Sequence, residues 1–308
     1  MTNRYSDIAR EIMLAGLRKE TCAVPTQMTE MAKDMFNVPE RPPELGGKRF
    51  KMALGRTIGV PVTGGLDSTV LYLRATEEIY GRRFREDSQV VDFWMVRPFY
   101  VNFGQPYAAK EIAALRTFVK EDTIELINAP IRADEKDYWK HIIPGRNLYI
   151  LSLIAEQMMG GELWFGAVDG EMPLMGGDKS RYFIGAVNNL FRHLPMPVEV
   201  TTPLSKETKT DLVKWWLESG YSKDMLDRTV SCFSAEEGHC AACQACLRKW
   251  IAYSNNGLEL KTNMDIKIGC AEYIEKYKRV LGEALAKNDF THYSKHRCEQ
   301  DLSGIALL

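Results

Sequence analysis

Apolar residues at the start of the chain fall at helical spacing. Ile8, Ile12, Leu14 and Leu17 within residues 5–19, then Met28, Met31 and Met35 within 26–36, predict two short amphipathic helices. Their methionines read as packing rather than chemistry. From Val38 to Lys51 the breakers Pro39, Pro42, Pro43, Gly46 and Gly47 describe a linker or extended arm, so the main domain begins near residue 50. Beyond it strand-like and helix-like runs alternate: strand Thr57–Thr63, helix Ser68–Tyr80, strand Gln89–Val96, helix Tyr107–Lys120, strand Thr123–Ile127, helix Asn147–Met159 and strand Leu163–Val168. This alternation predicts an α/β fold, a parallel sheet with helices on both faces. After Asp169 come a Gly/Met loop, a helix near Tyr182–Phe191, a strand Val198–Thr202 and a helix Ser205–Ser219. A cysteine-rich stretch follows, then a long amphipathic helix near Cys270–Ala286 whose stripe Ile274, Tyr277, Leu281 and Leu285 suits core packing or a dimer contact. No period is visible from Asn288 to Leu308. The division is 1–50 as helical extension and linker, 51–225 as the α/β domain, and 226–308 as a cysteine module with C-terminal helices.

Composition narrows the partners. The 308 residues carry 40 Lys+Arg against 41 Asp+Glu, a net charge of −1, and no long basic run, so non-specific nucleic-acid binding is not expected. The longest nearly uninterrupted apolar stretch, Leu148–Ala155, is far short of the ~20 residues that cross a bilayer. Arg4, Asp7, Arg10, Glu11 and Arg18 stud the start of the chain and argue against a secretory signal. A cytoplasmic protein without a membrane partner is expected.

The sharpest motif is Val62-Thr63-Gly64-Gly65-Leu66-Asp67-Ser68-Thr69, placed where a buried strand gives way to a helix. Paired glycines let backbone turn tightly and approach a ligand, and the helix start offers unpaired N–H groups with the positive end of its dipole, a site suited to pyrophosphate. Asp67 and Ser68 fall at the helix start, where N-capping is their plain role. The string lacks the Lys of a P-loop and the third glycine of a dinucleotide fold. Pro61 is expected at the strand's end, since a central strand cannot easily lose a donor.

Of seven cysteines, four form C-x7-C-x2-C-x2-C at Cys232, Cys240, Cys243 and Cys246. Such spacing holds four thiolates around one tetrahedral Zn²⁺ at ~2.3 Å per bond and closes its coordination, which marks a structural site. An iron–sulfur cluster is the rival; a disulfide needs an oxidising compartment. His239 reads as a neighbour of the ligands, and His292, His296 and Cys298 are not expected to form a second metal site.

The glycine string resembles the S-G-G-x-D-S signature of the PP-loop ATP pyrophosphatases, with Thr63 in place of the leading Ser. A PP-loop followed by this cysteine pattern is similar to the 7-cyano-7-deazaguanine (preQ0) synthase family, QueC. Further segments agree, in the right order over about residues 55–255. Phe103-Gly104-Gln105 resembles a Y-G-Q element, Pro144-Gly145-Arg146-Asn147 matches P-G-R-N, and Thr202-Pro203-Leu204 with Lys209 resembles T-P-L-x-x-x-x-K. Two departures stand out: Pro106 and Tyr107 replace the family's Arg and His, and near Asp178 an expected Arg is Ser180, flanked by Lys179 and Arg181. The resemblance implies an adenine nucleotide alpha-hydrolase-like fold with a zinc-binding helical module. It implies an ATP- and Mg²⁺-dependent ligase that adenylates 7-carboxy-7-deazaguanine and carries it with ammonia, through an amide, to the nitrile, releasing AMP or ADP-level products with pyrophosphate as the superfamily pattern. On this reading Thr63, Gly64, Gly65, Leu66, Asp67, Ser68 and Thr69 bind the nucleotide, and Asp67, Ser68 and Lys209 act in catalysis. Gln105, Gly145, Arg146, Asn147, Asp178 and Arg181 hold the substrate, while Trp139 and His141 read as packing. Relatives beside antiviral defence genes imply an alternative acceptor, a protein N-terminal amine, and the N-terminal helices would suit such a partner. A tRNA-modifying zinc protein is a third reading, disfavoured by the charge balance.

Overall fold

In this computed structural model the described residues are 57–83, 95–130, 145–158, 160–169, 171, 177–194, 198–234 and 236–308. The expected N-terminal helices, the linker, the Gln89–Trp94 part of the second strand, and Trp139 and His141 lie outside them.

Five strands form one parallel sheet: β1 (Thr57–Pro61), β2 (Met95–Asn102), β3 (Glu125–Asn128), β4 (Gly161–Trp164) and β5 (Val198–Thr201), in the order β3-β2-β1-β4-β5. Between them run α1 (Leu66–Arg83), α2 (Ala108–Leu115), α3 (Arg146–Gln157) and α4 (Arg181–His193). After β5 come α5 (Lys209–Glu218), α6 (Lys223–Asp227), α7 (Gln244–Ser254), α8 (Ile266–Gly269), α9 (Ala271–Lys287) and α10 (Lys295–Ala306). Side chains alternate through the sheet into two cores. Ile58, Val60, Tyr100 and Trp164 pack with α1 and α5, and Phe99, Val101 and Leu163 pack with α3 and α4. This is the expected α/β architecture with helices on both faces.

Two prolines show how the sheet tolerates missing donors. Pro61 is the last residue of β1. Pro98 sits inside β2, which therefore runs eight residues and extends well past the expected end at Val96. The Val62 N–H donates to Phe99 O at 2.8 Å, so Phe99 turns its polar backbone toward β1 and Pro98 faces the β3 side. Pairing with β3 begins only at Phe99, and no ladder bond is lost at Pro98.

The boundary expected near residue 225 falls inside α6, and the α1/α5 core continues across it through Leu226, Ala252, Tyr253 and Leu260. The stripe Ile274, Tyr277 and Leu281 on α9 is buried in a third core around Cys232, Cys246 and Leu247, so packing occupies it. The tail without visible period contains α10. Its buried face is Arg297, Cys298, Asp301, Gly304 and Ile305, helical in spacing but largely polar or small. Among the described residues no helix is long and apolar enough to cross a membrane.

Candidate active site

The glycine string joins β1 to α1 at the carboxyl end of the sheet, where open parallel sheets bind ligands. Gly64 adopts φ +69°, and a Cβ there would lie 2.8 Å from Ala114 Cβ and Leu115 N and 2.9 Å from Glu111 O. The turn is thus pressed onto α2 and accepts only glycine without strain. Gly64 O accepts from Val230 N–H at 2.8 Å, tying the turn to the segment that enters the cysteine module. Ser68 Oγ accepts from Thr63 N–H and donates to Gly65 O, both at 3.2 Å, closing the loop on itself.

Asp67 turns away from the loop to Lys209. Lys209 Nζ donates to both carboxylate oxygens, at 2.5 Å to Oδ1. Lys209 opens α5 behind a capping box: Asp211 N–H donates to Thr208 Oγ1 at 3.2 Å, and Thr208 N–H donates to Asp211 Oδ2 at 2.8 Å. Burial holds the Lys209 ammonium below its usual range, with Asp67 opposing that shift and Arg248 adding to it.

A cavity of about 360 Å³ opens over this pair. Thr63, Gly65, Leu66, Asp67, Ser68, Lys209, Gln105, Arg146 and Asn147 all line it, whereas Gly64, Thr69, Gly145, Asp178 and Arg181 do not. Gly64 shapes the turn from behind, and Thr69 is buried beneath it. Gly145, at φ +72°, sets the start of α3. Asp178 contributes its carbonyl, which accepts from Asn147 Nδ2 at 3.2 Å, and Arg181 is exposed at the start of α4. The cation that reaches the cavity from that loop is Lys179, paired with Glu171 at 2.6 Å. Arg248 from α7 pairs with the same carboxylate. Burial would raise the Glu171 carboxyl, but Lys179, Arg248 and Lys209 together hold it well below the usual range.

Glu171, Arg248, Lys179, Glu111 and Tyr107 line the cavity without a sequence motif to announce them. Lys179 and Tyr107 stood in the sequence only as parts of the two departures from the family pattern. Glu111 had one available clue, a lone acidic residue on the helix that follows Gln105.

The four clustered cysteines bring their sulfurs within 4.8 Å of one another. Cys232 Sγ accepts from the N–H groups of Ser234 and Cys240, and Cys240 Sγ from that of Ala242, each at 3.4 Å, as thiolates bound to metal require. Ala241, at φ +56°, makes the tight turn between two of them. The donor set fits one tetrahedral ion. Cys270 is buried alongside, but its thiol donates to Ala241 O at 3.0 Å and lies outside the set. Beneath the module Lys249 Nζ donates to Thr229 O at 2.5 Å and Thr229 Oγ1 at 2.8 Å and lies 3.2 Å from His239 Nε2. Burial lowers Lys249 to about 7 and, with Lys249 beside it, His239 to about 4. His239 is thus a neighbour of the ligands. Among the described residues no second group of metal-binding side chains occurs, and His296 instead meets Asp211 Oδ2 at 3.0 Å.

A parallel α/β sheet whose first strand ends in this glycine turn, joined to a four-cysteine module, defines a PP-loop protein. The profile described as "Queuosine biosynthesis protein QueC" matches residues 58–257, well over half of the 308-residue chain, and the chain belongs to that family. It is similar to the protein named 7-cyano-7-deazaguanine synthase of Alteromonas mediterranea, 26% identical over 219 residues that cover 66% of this chain and 96% of that one. The protein of the same name from Methanocaldococcus jannaschii is 26% identical over 235 residues, covering 65% and 96%. Among solved structures, the U34-tRNA thiolase NcsA of Methanococcus maripaludis covers 69% of this chain and 84% of its own, at 14% identity and a TM-score of 0.33, a likeness too low to argue from.

Proposed function

We propose that this chain is an ATP-dependent carbon–nitrogen ligase that activates the carboxylate of 7-carboxy-7-deazaguanine and converts it with ammonia, through the amide, to 7-cyano-7-deazaguanine. The observation that carries this reading is one cavity holding both the glycine turn and four cations, Arg146, Lys179, Lys209 and Arg248. A carboxylate is a poor electrophile until its oxygen belongs to a better leaving group. Its attack on the α-phosphorus of ATP forms the acyl-adenylate and expels pyrophosphate, and ammonia then displaces AMP from the carbonyl carbon to give the amide; the amide oxygen attacks a second ATP in the same way, and its departure as AMP with loss of both N–H protons leaves the nitrile. Negative charge grows on the α-phosphate in the first step. The N–H groups at the start of α1 and the Lys209 ammonium, held in place by Asp67, stand where that charge forms. Arg146 and Asn147, at the start of α3, would orient the acid. Asp67 keeps lone pairs beyond those taken by Lys209, so with Ser68 it would hold the Mg²⁺ that accompanies ATP. Zinc, bound by Cys232, Cys240, Cys243 and Cys246, would supply cross-linking alone, since four thiolates leave no open position.

The test is product analysis. Purified protein with ATP, Mg²⁺, the deazaguanine acid and ammonium should release AMP and pyrophosphate and yield a nitrile mass. AMP release that ignores the acid would sink the reading. Acid-dependent AMP without a nitrile would shift the acceptor from ammonia to another amine, such as a protein N-terminus.

A further inference from the structure

Three carboxylates line the cavity among the described residues, and they are not equivalent. Asp67 is held by Lys209, and Glu171 by Lys179 and Arg248. Glu111 is hydrogen-bonded, among the described residues, by neutral groups only. Its Oε2 accepts from Tyr100 OH and from Gln105 Nε2, both at 2.9 Å, while Oε1 makes no hydrogen bond among the described residues. Tyr100 and Gln105 are themselves 0% and 8% exposed, and Gln105 Nε2 also meets Tyr100 OH at 2.9 Å, so the trio is braced from behind. Gln105 Oε1 in turn accepts from Phe103 N–H at 2.9 Å, which fixes the amide's orientation.

A carboxylate has roughly four acceptor sites. Two are taken by described residues, both on Oε2, and Glu111 lines the cavity. A ligand that covers Glu111 must therefore bring donors, because an acceptor buried without a partner is unfavourable. Phosphates and carboxylates bring none. The adenine edge offers one exocyclic donor beside an acceptor nitrogen, which a carboxylate oxygen repels. A 2-aminopyrimidin-4-one ring, by contrast, presents a ring N–H beside an exocyclic NH2, two adjacent donors that the open sites of Oε1 can accept together.

From this division we infer that Glu111 is the specificity-determining residue that reads the 2-amino and ring N–H edge of the substrate, with Tyr100 and Gln105 positioning its carboxylate. The inference rests on the deazaguanine substrate proposed above and names the contact that selects it. Burial raises the Glu111 carboxyl above its usual range, while Gln105, Tyr100 and the charge of Arg146 pull it back. Ligand donors would act in the same direction as those neighbours.

Calorimetry on the full chain with two neutral rings, 7-deazaguanine and 7-deazahypoxanthine, which differ by the exocyclic amine, tests the contact. Wild type is expected to bind 7-deazaguanine about 10- to 100-fold more tightly than 7-deazahypoxanthine. Glu111→Gln is expected to bind both rings alike at the weaker level, with a wild-type circular dichroism spectrum and melt showing that it is folded, and Glu111→Asp to keep a reduced preference. The inference is overturned if wild type binds the two rings equally or binds neither, or if the preference survives in Glu111→Gln. If Glu111→Gln fails to fold, Glu111→Asp decides: a preference below wild type supports the contact, and an undiminished one removes it. AMP release by the same wild-type preparation judges the reaction separately. Ring preference without acid-dependent AMP leaves Glu111 standing and removes the ligase reading; AMP without ring preference does the reverse.

Discussion

The glycine turn and the cysteine cluster are each spelled by a short string, yet they are completed in different ways. The cluster is nearly self-contained: its sulfurs and the amides that support them all belong to residues between 232 and 246. The turn is finished from afar. Asp67 meets a lysine 142 positions along the chain, and Gly64 O is met by Val230 N–H. A metal can join neighbours in sequence, but a charged cavity needs the tertiary fold to bring its partners together.

Removing the metal is the most severe test of that contrast. Small zinc modules bind with apparent energies of about 10–16 kcal/mol, so chelation, or Cys246→Ser at a fully buried ligand, is expected to unfold the segment around α7. Val230, Phe233 and Arg248 line the cavity, so AMP release should vanish with it. Metal content, near-UV circular dichroism and AMP assays on one sample check this. AMP release that survives a fully metal-free state would show the two regions to be independent.

Lys209→Met comes next. Its pair with Asp67 is 12% and 18% exposed, and stranding such a carboxylate is unfavourable by about 3–5 kcal/mol. Turnover should fall about 10²- to 10³-fold. Adding Asp67→Asn should recover stability but not turnover, as denaturant melts and single-turnover assays would reveal. A variant as stable as wild type would show the pair to be unimportant for folding.

Gly64→Ala is smaller. A positive φ together with backbone contact at 2.8 Å should lower stability by about 1–3 kcal/mol, read as a shifted denaturant midpoint with an unchanged slope.

Smallest is Asp211, where Asp211→Asn weakens a capping box by about 1 kcal/mol. Burial would raise its carboxyl, yet hydrogen bonds from Thr208, Gln300 and His296 hold it below the ordinary 3.8. Its folded form therefore binds protons less readily than its unfolded form. The stabilisation is full above 3.8 and is lost as pH falls through the lower folded value, so wild type and variant should converge in stability in acid.

The strings that repeat a local rule were legible: the turn at 63–69, the four cysteines, the strand–helix alternation and the end of β1 at Pro61. Strand β2 was ended too early, since it runs on through Pro98, whose side faces the unpaired stretch before β3 and costs no ladder bond. Helix α10 was invisible because its inward face is built from Arg297 and Asp301, paired at 3.0 Å, and from Gly304, whose absent side chain leaves room for Ile251. Hydrophobic periodicity cannot detect a buried face made of charge and glycine. Glu111 and Glu171 escaped for a related reason. A carboxylate's role depends on which neighbours reach it, and the string names none of them.

Helix α10 touches no part of the cavity, yet it ties down two of its walls. Arg297 Nη1 donates to Asp169 O at 3.0 Å, two residues before Glu171, and Gln300 Nε2 donates to Asp211 Oδ1 at 2.8 Å beside the cap that presents Lys209. The shape of the cavity therefore depends on residues that line no part of it. A substitution on this one helix would be felt on the other side of the loops it holds.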